Sequence, residues 1–163
     1  MKIVVYAIAL NEAKHINQFM DSCADADEII IADTGSTDLT KAIAIVRGAK
    51  VYDISIQPWR FDLARNTCLS LTPTDADCLI SLDLDEVLKP GWRQKIETAW
   101  RPGTTQLRYR YAWGPNSEFF YDKIHSRRGY SWRWMCHEYI CADPRFTPQV
   151  SVLDECLRSE EHT

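Results

Sequence analysis

The sequence lacks the features that would place it among membrane, secreted or metal-cluster proteins. Its apolar opening, residues 1–10, is about half of the ~20 residues that a membrane-spanning helix needs. It has no basic segment and no small-residue cleavage site, so it does not resemble a secretion signal. The six cysteines include no CxxC pair, which leaves a zinc or thioredoxin-type site without local support. We therefore expect reduced thiols and a cytoplasmic protein without a transmembrane segment, with the inner membrane face open as a peripheral location.

Neither sign of charge is in large excess. The chain has 19 Lys and Arg against 23 Asp and Glu, a net charge of −4. Nucleic-acid-binding proteins usually present a basic face, so we expect no nucleic-acid partner. The length of 163 residues, 45% of them apolar, predicts one domain over residues 1–163. We divide it into halves at residue 90, because 13 of the 18 aromatic residues fall between Trp92 and Phe146.

The first half alternates two kinds of segment. Short apolar runs predict strands, and segments with helical spacing of apolar residues predict the helices between them. Such alternation is typical of βαβ units and a parallel sheet, in which ligands bind beyond the carboxyl ends of the strands. The predicted strands are 2–9, 28–33, 51–56 and 78–83, and the predicted helices are 12–23, 37–48 and 62–71.

The alternation of strand-like and helix-like segments ends after Pro90 and Gly91, where the second half begins. One helix is predicted over 92–100, followed by strands over 106–113, 119–126 and 135–142 that Gly and Pro turns join. Strands connected in this way are typical of antiparallel pairs. The last charged residues, 158–162, are interpreted as a charged tail.

Asp83-Leu84-Asp85-Glu86 is the sharpest local motif. It places two carboxylates one residue apart where a buried strand ends, and clustered carboxylate oxygens suit Mg²⁺ or Mn²⁺. Taken alone, the motif also fits two acidic residues in a surface turn.

Two further segments lie at the same predicted edge of the sheet. Asp33 ends the second strand and begins the loop Asp33-Thr34-Gly35-Ser36-Thr37-Asp38, whose hydroxyls could instead cap the next helix. Residues 59–66, Trp-Arg-Phe-Asp-Leu-Ala-Arg-Asn, open the third helix. A helix N-terminus favours anions, although a solvated first turn is the plain alternative.

Together these motifs resemble the family 2 inverting glycosyltransferases with the GT-A fold. The order matches: a first strand running into Asn11-Glu12, the loop at 33–38, Ala64-Arg65-Asn66, the motif at 83–86, and Cys136-His137-Glu138. The resemblance covers residues 2–140 and is strongest to a subgroup with DxDE and late His-Glu motifs. It implies an α/β fold with a mostly parallel, Rossmann-like sheet flanked by helices and a small antiparallel extension.

The resemblance also implies a chemistry and a set of site residues. A sugar would pass from a nucleotide sugar, a UDP-sugar, to an acceptor hydroxyl with inversion, with Mn²⁺ or Mg²⁺ stabilising the leaving diphosphate. Asp85 would bind the metal directly, with Asp83 contacting the ribose or the metal through water. The implied nucleotide-binding residues are Ala7, Ala9, Glu12, Asp33, Asp62, Arg65 and Asp83.

The general base and the acceptor side must come from the second half. Glu138 is the first candidate for the base and His137 the second, and His137 could instead complete the metal site. An ordinary strand with His inward and Glu outward is the alternative. On the acceptor side, aromatic faces stack on sugar rings and cations suit diphosphate oxygens; the candidates are Lys123, Arg127, Trp132 and Trp134.

The second half is shorter than the family pattern. We expect either a minimal transferase, completed by a partner in a homodimer, or a nucleotide-sugar-binding domain with little turnover. The acceptor could be a carbohydrate, a lipid-linked sugar or a protein. Two rival enzymes are also open: a haloacid-dehalogenase-like phosphatase with Asp83 as nucleophile and Asp85 as acid or base, and a nucleotidyltransferase, whose Gly-rich loop the sequence lacks.

Overall fold

The computed structural model describes residues 1–114 and 116–160, which form four helices and ten strands. The helices are α1 (Ile16–Ser22), α2 (Thr40–Val46), α3 (Phe61–Leu71) and α4 (Trp92–Ala99). The strands are β1 (Ile3–Ala9), β2 (Glu28–Asp33), β3 (Lys50–Asp53), β4 (Cys78–Ser81), β5 (Glu86–Leu88), β6 (Gln106–Gly114), β7 (Ser117–His125), β8 (Tyr130–Arg133), β9 (Tyr139–Ala142) and β10 (Val150–Glu160).

Eight strands form one mixed sheet in the order β3-β2-β1-β4-β7-β6-β10-β5, and β8 and β9 form a separate antiparallel pair. The strands β3, β2, β1 and β4 run parallel. β7 is antiparallel to both β4 and β6, β10 is parallel to β6, and β5 is antiparallel to β10. The predicted α/β class, with a mostly parallel sheet and a small antiparallel extension, is confirmed.

β1 is buried on both faces because six of its seven residues are buried and all are apolar or aromatic. Ile3 and Val5 pack into one cluster with α1, and Val4 and Tyr6 pack into another with α3 and β8. A strand covered on both sides carries a continuous apolar run rather than an alternating one. The sheet therefore separates two layers, and α3 shares its layer with the β8–β9 pair.

The topology brings both halves of the chain to one edge of the sheet. The carboxyl ends of β1, β2 and β4 lie side by side there, since these strands are parallel neighbours. β7 runs the opposite way, with Ile124 paired to Ile80. The preceding residue, Lys123, therefore lies at the carboxyl end of β4.

Helices α1 and α2 begin later than predicted because their leading loops are hydrogen-bonded to each other. The Glu12 N–H donates to Thr40 Oγ1 at 2.7 Å, and the Ala13 N–H donates to Asp38 Oδ2 at 3.1 Å. In return, the Thr37 N–H donates to Asn11 Oδ1 at 2.8 Å. The two loops therefore form one hydrogen-bonded unit above the sheet, and the residues predicted as first helical turns belong to these loops.

The strand predicted over 135–142 is wrong in its first half. Only β9 is extended, and positive φ values at Trp134 (81°) and His137 (55°) turn the chain between β8 and β9.

The predicted charged tail at 158–162 is also wrong where it is described. Arg158 is fully buried in β10, because Glu86 supplies an opposite charge inside the fold. Residues 161 and 162 lie outside the described residues. Within the described ranges, no helix has the length and apolar character that crossing a membrane requires.

Candidate functional site

A cleft of about 380 Å³ lies beyond the carboxyl ends of β1 and β4. Its walls come from the loops after β1 and β2, from the start of α3 and from the turn between β4 and β5. Chemically, one side is acidic and the other aromatic. The main lining residues are Ala9, Glu12, Thr34, Trp59, Phe61, Arg65, Asp83 and Asp85.

Asp33 lies beside the cleft with one oxygen to spare. The residue is 2% exposed, and its Oδ1 accepts hydrogen bonds from the backbone N–H groups of Gly35 (3.0 Å) and Ser36 (2.8 Å). Gly35 has φ of 116°, a conformation that favours glycine and lets the loop fold back over the carboxylate. Oδ2 is buried and has no hydrogen-bond partner among the described residues. Leaving such an oxygen unpaired costs free energy, so a ligand that brought an N–H donor to it past Thr34 would be favoured.

Four charged side chains form an ion-pair network at the inner end of the cleft. Arg65 on α3 donates from Nε to Glu138 Oε1 at 2.5 Å and from a terminal nitrogen to Asp83 Oδ1 at 2.6 Å. Lys123 on β7 approaches the other oxygen, Asp83 Oδ2, at 3.2 Å. The network thus joins two residues of the first half to two residues of the second, and we name it the Arg65 network.

The network changes the acid–base properties of its members. Burial alone would raise the pKa of Asp83, but the charges of Lys123 and Arg65 outweigh it and hold that pKa far below its ordinary value. Burial also works against the Arg65 cation, and the carboxylates of Asp83 and Glu138 reverse this and raise its pKa. Asp83 is therefore an anion, and Arg65 a cation, at neutral pH.

The Trp132 ring packs against the two cations of the Arg65 network. The Arg65 guanidinium lies 4.9 Å from the centroid of the Trp132 ring, and the Lys123 ammonium lies 5.9 Å from it. The indole N–H donates to the Tyr6 hydroxyl at 2.8 Å, and the same hydroxyl lies 2.8 Å from His125 Nε2. The hydroxyl therefore donates to Nε2, and the ring proton of His125 lies on Nδ1, where it donates to the Ser126 carbonyl at 2.8 Å. Burial lowers the pKa of His125 to about 4, so this imidazole is neutral.

Asp85 is the carboxylate that faces the cleft without a cation. Among the described residues no Lys, Arg or His is ion-paired with it. Burial, and then the charges of Asp83 and Glu160, raise its pKa. A divalent cation would relieve that repulsion, and carboxylate oxygens are the ligands that Mg²⁺ and Mn²⁺ prefer.

The described residues do not form a ready-made metal cage. No group of three or more His, Cys, Asp or Glu in residues 1–114 and 116–160 could hold an ion. They do fit an ion bound by Asp85 together with water and ligand oxygens, which is how Mg²⁺ is usually held beside phosphates. His137 does not join that arrangement, because it is exposed in the turn between β8 and β9.

Several predicted residues gather at the cleft, and others lie behind it. Ala9, Glu12, Arg65, Asp83 and Asp85 all line it. Ala7 lies one layer deeper, 1% exposed, and its carbonyl accepts a hydrogen bond from the Cys68 thiol at 3.3 Å. Burial raises the pKa of Glu12.

Three predicted residues are placed away from the cleft. Asp62 is buried but turned back onto Arg60, which binds both of its carboxylate oxygens at 2.7 and 3.0 Å. Arg127 donates to the carbonyls of Thr72 and Ser70 at the far end of α3. It lies there because β7 is antiparallel to β4, which carries residues after His125 away from the carboxyl edge. Trp134 is 62% exposed in the turn after β8.

Glu138, Lys123 and Trp132 meet at a second cavity of about 150 Å³. Four of its eight lining residues are aromatic. The Arg65 network contributes to both cavities, since Arg65 and Asp83 line the first cleft and Lys123 and Glu138 line the second. Oε1 of Glu138 is held by Arg65, and no described residue donates to Oε2. The other aromatic lining residues are Phe120, Tyr121 and Tyr139.

Sequence reasoning missed the aromatic rim of the first cleft. Trp59 and Phe61 pack edge to face at 5.2 Å and are 42% and 38% exposed. Two exposed aromatics at the mouth of a polar cleft are a surface for a planar ring. The signal for it in the sequence is the Trp-Arg-Phe spacing before α3, which places two aromatics around one charge.

Residues 4–146 match the family profile described as "Glycosyl transferase family 2". Two curated relatives are uncharacterised glycosyltransferases. The one from Rickettsia bellii is 34% identical over 97 residues, 59% of this chain and 32% of its own length. The one from Rickettsia felis is 33% identical over 102 residues, 59% of this chain and 33% of its own. The chain spans about a third of the length of these relatives.

Two solved structures are similar in fold. Glucosyl-3-phosphoglycerate synthase from Mycobacterium tuberculosis, solved with Mn²⁺, UDP and glucosyl-3-phosphoglycerate, aligns with a TM-score of 0.55 and 27% identity. That alignment covers 68% of this chain and 44% of the synthase. S. aureus TarS aligns with a TM-score of 0.72 over 98% of this chain and 36% of its own, at 15% identity. The second likeness concerns the fold alone, and the predicted GT-A fold is confirmed. The DxDE and His-Glu subgroup stays a prediction.

Proposed function

Since the chain belongs to glycosyl transferase family 2, we propose that it moves a sugar from a UDP-sugar to an acceptor hydroxyl with inversion. The observation that carries this proposal is the buried, unpartnered Oδ2 of Asp33, one residue before Thr34 in the wall of the 380 Å³ cleft. The N–H of a uracil base is a donor that such an oxygen would accept. The complex of the similar synthase with UDP and Mn²⁺ supports the same assignment.

The cleft would hold the nucleotide through three kinds of contact. Asp33 would accept from the base, and the rim aromatics Trp59 and Phe61 offer a face on which the base can stack. Glu12 and Ala9 would bound the ribose side. Arg65 and Lys123 place two cations near the position expected for the diphosphate, where they offset its negative charge.

Asp85 would hold the divalent metal, and Asp83 would act beside it. The metal, when bound, supplies Lewis-acid stabilisation of the leaving diphosphate. Asp83 is committed to Arg65 and Lys123, so its part is to keep those cations in place and to contact the ribose or metal-bound water. His137 is not needed for this assignment, and its exposure argues against a ligand role.

Glu138 is the residue that we assign as general base. Its Oε1 is fixed by Arg65 at 2.5 Å and its side chain is only 11% exposed. Glu138 lines the second cavity, where an acceptor hydroxyl would approach and Oε2 would receive its proton. The hydroxyl would transfer its proton to Oε2 as its oxygen attacks the anomeric carbon from the face opposite the diphosphate. Carbohydrate, lipid-linked sugar and protein acceptors all offer such a hydroxyl.

A nucleotide-sugar-binding module with little turnover is the second candidate. The Arg65–Glu138 ion pair favours it, because the carboxylate oxygen that Arg65 binds is already engaged and cannot accept a hydroxyl proton. Glu138→Gln discriminates between the two functions. A transferase should lose its sugar transfer or donor hydrolysis while a binding module has none to lose, and His137→Ala serves as the matched control from the same turn. The match to glycosyl transferase family 2 argues against the phosphatase and nucleotidyltransferase alternatives.

Thermal unfolding with UDP, GDP, ADP and CDP, each with and without Mn²⁺, tests the donor assignment. A ligand that binds only the native state raises the midpoint temperature of unfolding. At a hundredfold excess over Kd, it adds about 2.7 kcal/mol to the free energy of unfolding. We expect an increase with UDP that depends on Mn²⁺ and is lost in Asp85→Asn. No increase with any nucleotide would overturn the assignment. The predicted homodimer and cytoplasmic location stay predictions.

A further inference from the structure

Arg158 reaches the turn that carries Asp83 and Asp85 from the far end of the chain. It is fully buried on β10, and one terminal nitrogen donates to Glu86 Oε1 at 2.7 Å. Its other terminal nitrogen donates to the Ser81 carbonyl at 2.9 Å. One guanidinium thus touches both ends of the segment 81–86.

Glu86 completes the connection to Asp83. Its second oxygen, Oε2, accepts from the Asp83 N–H at 2.8 Å, and its own N–H donates to the Asp83 carbonyl at 3.0 Å. β4 ends at Ser81, and its pairing with β7 involves only Leu79 and Ile80. Ser81 still pairs with Tyr6 of β1, but its carbonyl, which Arg158 binds, lies beyond the β4–β7 pairing, and the Asp83 N–H that Glu86 binds lies beyond the end of β4.

Irregularities in β10 place Arg158 in this position. The register between β10 and β6 shifts between Leu153 and Cys156 and again between Cys156 and Arg158. The two residues at the end of this irregular stretch, Leu157 and Arg158, are both buried. Bulges of this kind commonly redirect a side chain next to a functional site. Three tyrosine rings, Tyr109, Tyr111 and Tyr121, surround the guanidinium at 5.7, 4.7 and 4.5 Å.

A buried ion pair is a poor way to gain stability alone. Removing two charges from water costs free energy, and apolar residues of similar volume often stabilise a fold as well or better. Arg158 Nε, moreover, is buried without a partner among the described residues. The distinctive effect of the pair is geometric, because it fixes the backbone of one short turn from two directions.

We propose that Arg158 and Glu86 are positioning residues for the donor site, forming a clamp that holds Asp83 and Asp85 in register with the metal and the nucleotide. The inference rests on the proposed function for its effect on the donor. Arg158 lies beyond residue 146, where the family match ends. The clamp therefore assigns a role in the donor site to a strand outside the matched span.

The test combines hydrogen exchange with donor binding. Exchange at amides 82–86 is compared with exchange in β1, and UDP affinity is titrated at saturating Mn²⁺. The variants are Arg158→Lys, which keeps the charge but cannot span both acceptors, Glu86→Gln, and the double variant Arg158→Met with Glu86→Leu. Arg110→Met is the control, since it removes an exposed arginine that pairs with Asp154 between β6 and β10.

We expect amides 82–86 to exchange at least tenfold faster in Arg158→Lys and in the double variant, with β1 unchanged. UDP should bind at least tenfold more weakly, and Arg110→Met should match the wild type in both measurements. If the double variant does not fold, amide exchange and UDP affinity are compared between the wild type, Arg158→Lys and Glu86→Gln.

Unchanged exchange in folded variants would overturn the clamp, whether or not UDP affinity falls. Faster exchange with wild-type UDP affinity would overturn its link to the donor. A wild-type protein that binds no UDP would overturn the proposed function separately. Faster local exchange in the variants would then still support the clamp as a feature of the turn.

Discussion

The two halves of the molecule reach the same cleft by different routes. In residues 1–90, each site residue follows directly from the end of a parallel strand or the start of the next helix, as Asp33, Arg65 and Asp85 show. In the second half, Lys123 and Glu138 reach the site through an antiparallel strand and a turn. The local sequence therefore determines where the residues assigned to the donor lie. Long-range strand pairing determines where the residues assigned to the acceptor lie.

Substitution of Arg65 should disturb the contact between the two halves most strongly, because its side chain binds a carboxylate from each half. Replacing Arg65 with Met would leave two carboxylates without their shared cation: that of Glu138, whose side chain is 11% exposed, and that of Asp83, whose side chain is 37% exposed. Breaking a buried pair from one side typically costs about 3–5 kcal/mol. We expect a loss of that size in the free energy of unfolding, measured by urea titration. Arg145→Met, on an exposed pair with Asp143 in the loop after β9, should cost about 1 kcal/mol or less; equal losses would show that the network does not join the halves.

Asp85→Asn tests the contribution of the first half, through the residue proposed to bind the metal. The substitution keeps the shape of the residue but removes the charge that would bind the metal. A metal's stabilisation of a leaving group is worth several kcal/mol, so we expect sugar transfer or donor hydrolysis to fall on the order of 10²–10³-fold. The control is Asp154→Asn, an exposed carboxylate on β10. If both variants keep wild-type turnover with Mn²⁺ present, Asp85 is not the metal ligand.

His125 should make the second half sensitive to acid. Its pKa is about 4 in the fold and about 6.5 in an unfolded chain. Between these values the unfolded state binds a proton that the folded state excludes, so stability falls as the pH decreases through this window. We expect the free energy of unfolding to decrease by about 1.4 kcal/mol per pH unit near pH 5.

Chemical unfolding from pH 7 to pH 5 measures this effect. His125→Asn, which keeps a donor for the Ser126 carbonyl, should flatten the slope whatever its absolute stability. A variant with the wild-type slope would show that His125 is not the titrating group.

Trp134 should have the smallest effect. It is exposed and lies outside both cavities, so Trp134→Ala should change stability by at most about 0.5 kcal/mol. Trp132→Ala, from the buried position two residues earlier, should cost about 3–5 kcal/mol. Thermal unfolding of the two variants compares them directly, and a larger loss in Trp134→Ala would reverse the assignment of core and surface in this segment.

The same contrast explains how far the sequence could predict the site. Asp33, Arg65, Asp83 and Asp85 could be placed because apolar runs and helical spacing locate strand ends from local residues alone. Arg127 could not, because its distance from the cleft depends on the antiparallel direction of β7, which no local pattern specifies.

Arg158 shows the limit most clearly. In the sequence it stands among charged residues and resembles a solvated tail, while its partner Glu86 lies 72 positions away. Only the pairing of β10 with β5 and β6 brings the two together. Buried charge is hard to recognise from sequence when its partner is distant, since charged residues are rarely buried unless they are paired.

A calorimetric titration of UDP into the protein with Mn²⁺, repeated with Asp33→Asn, tests the central claim most directly. The Asn Oδ1 would be needed by the Gly35 and Ser36 N–H groups, which would turn its NH₂ toward the base and place two donors face to face. We expect the wild type to bind UDP and Asp33→Asn to bind at least about tenfold more weakly, the cost of roughly one lost hydrogen bond to a charged group. Equal UDP affinity in the two proteins, or no binding by the wild type, would contradict the assignment of this cleft as the donor site.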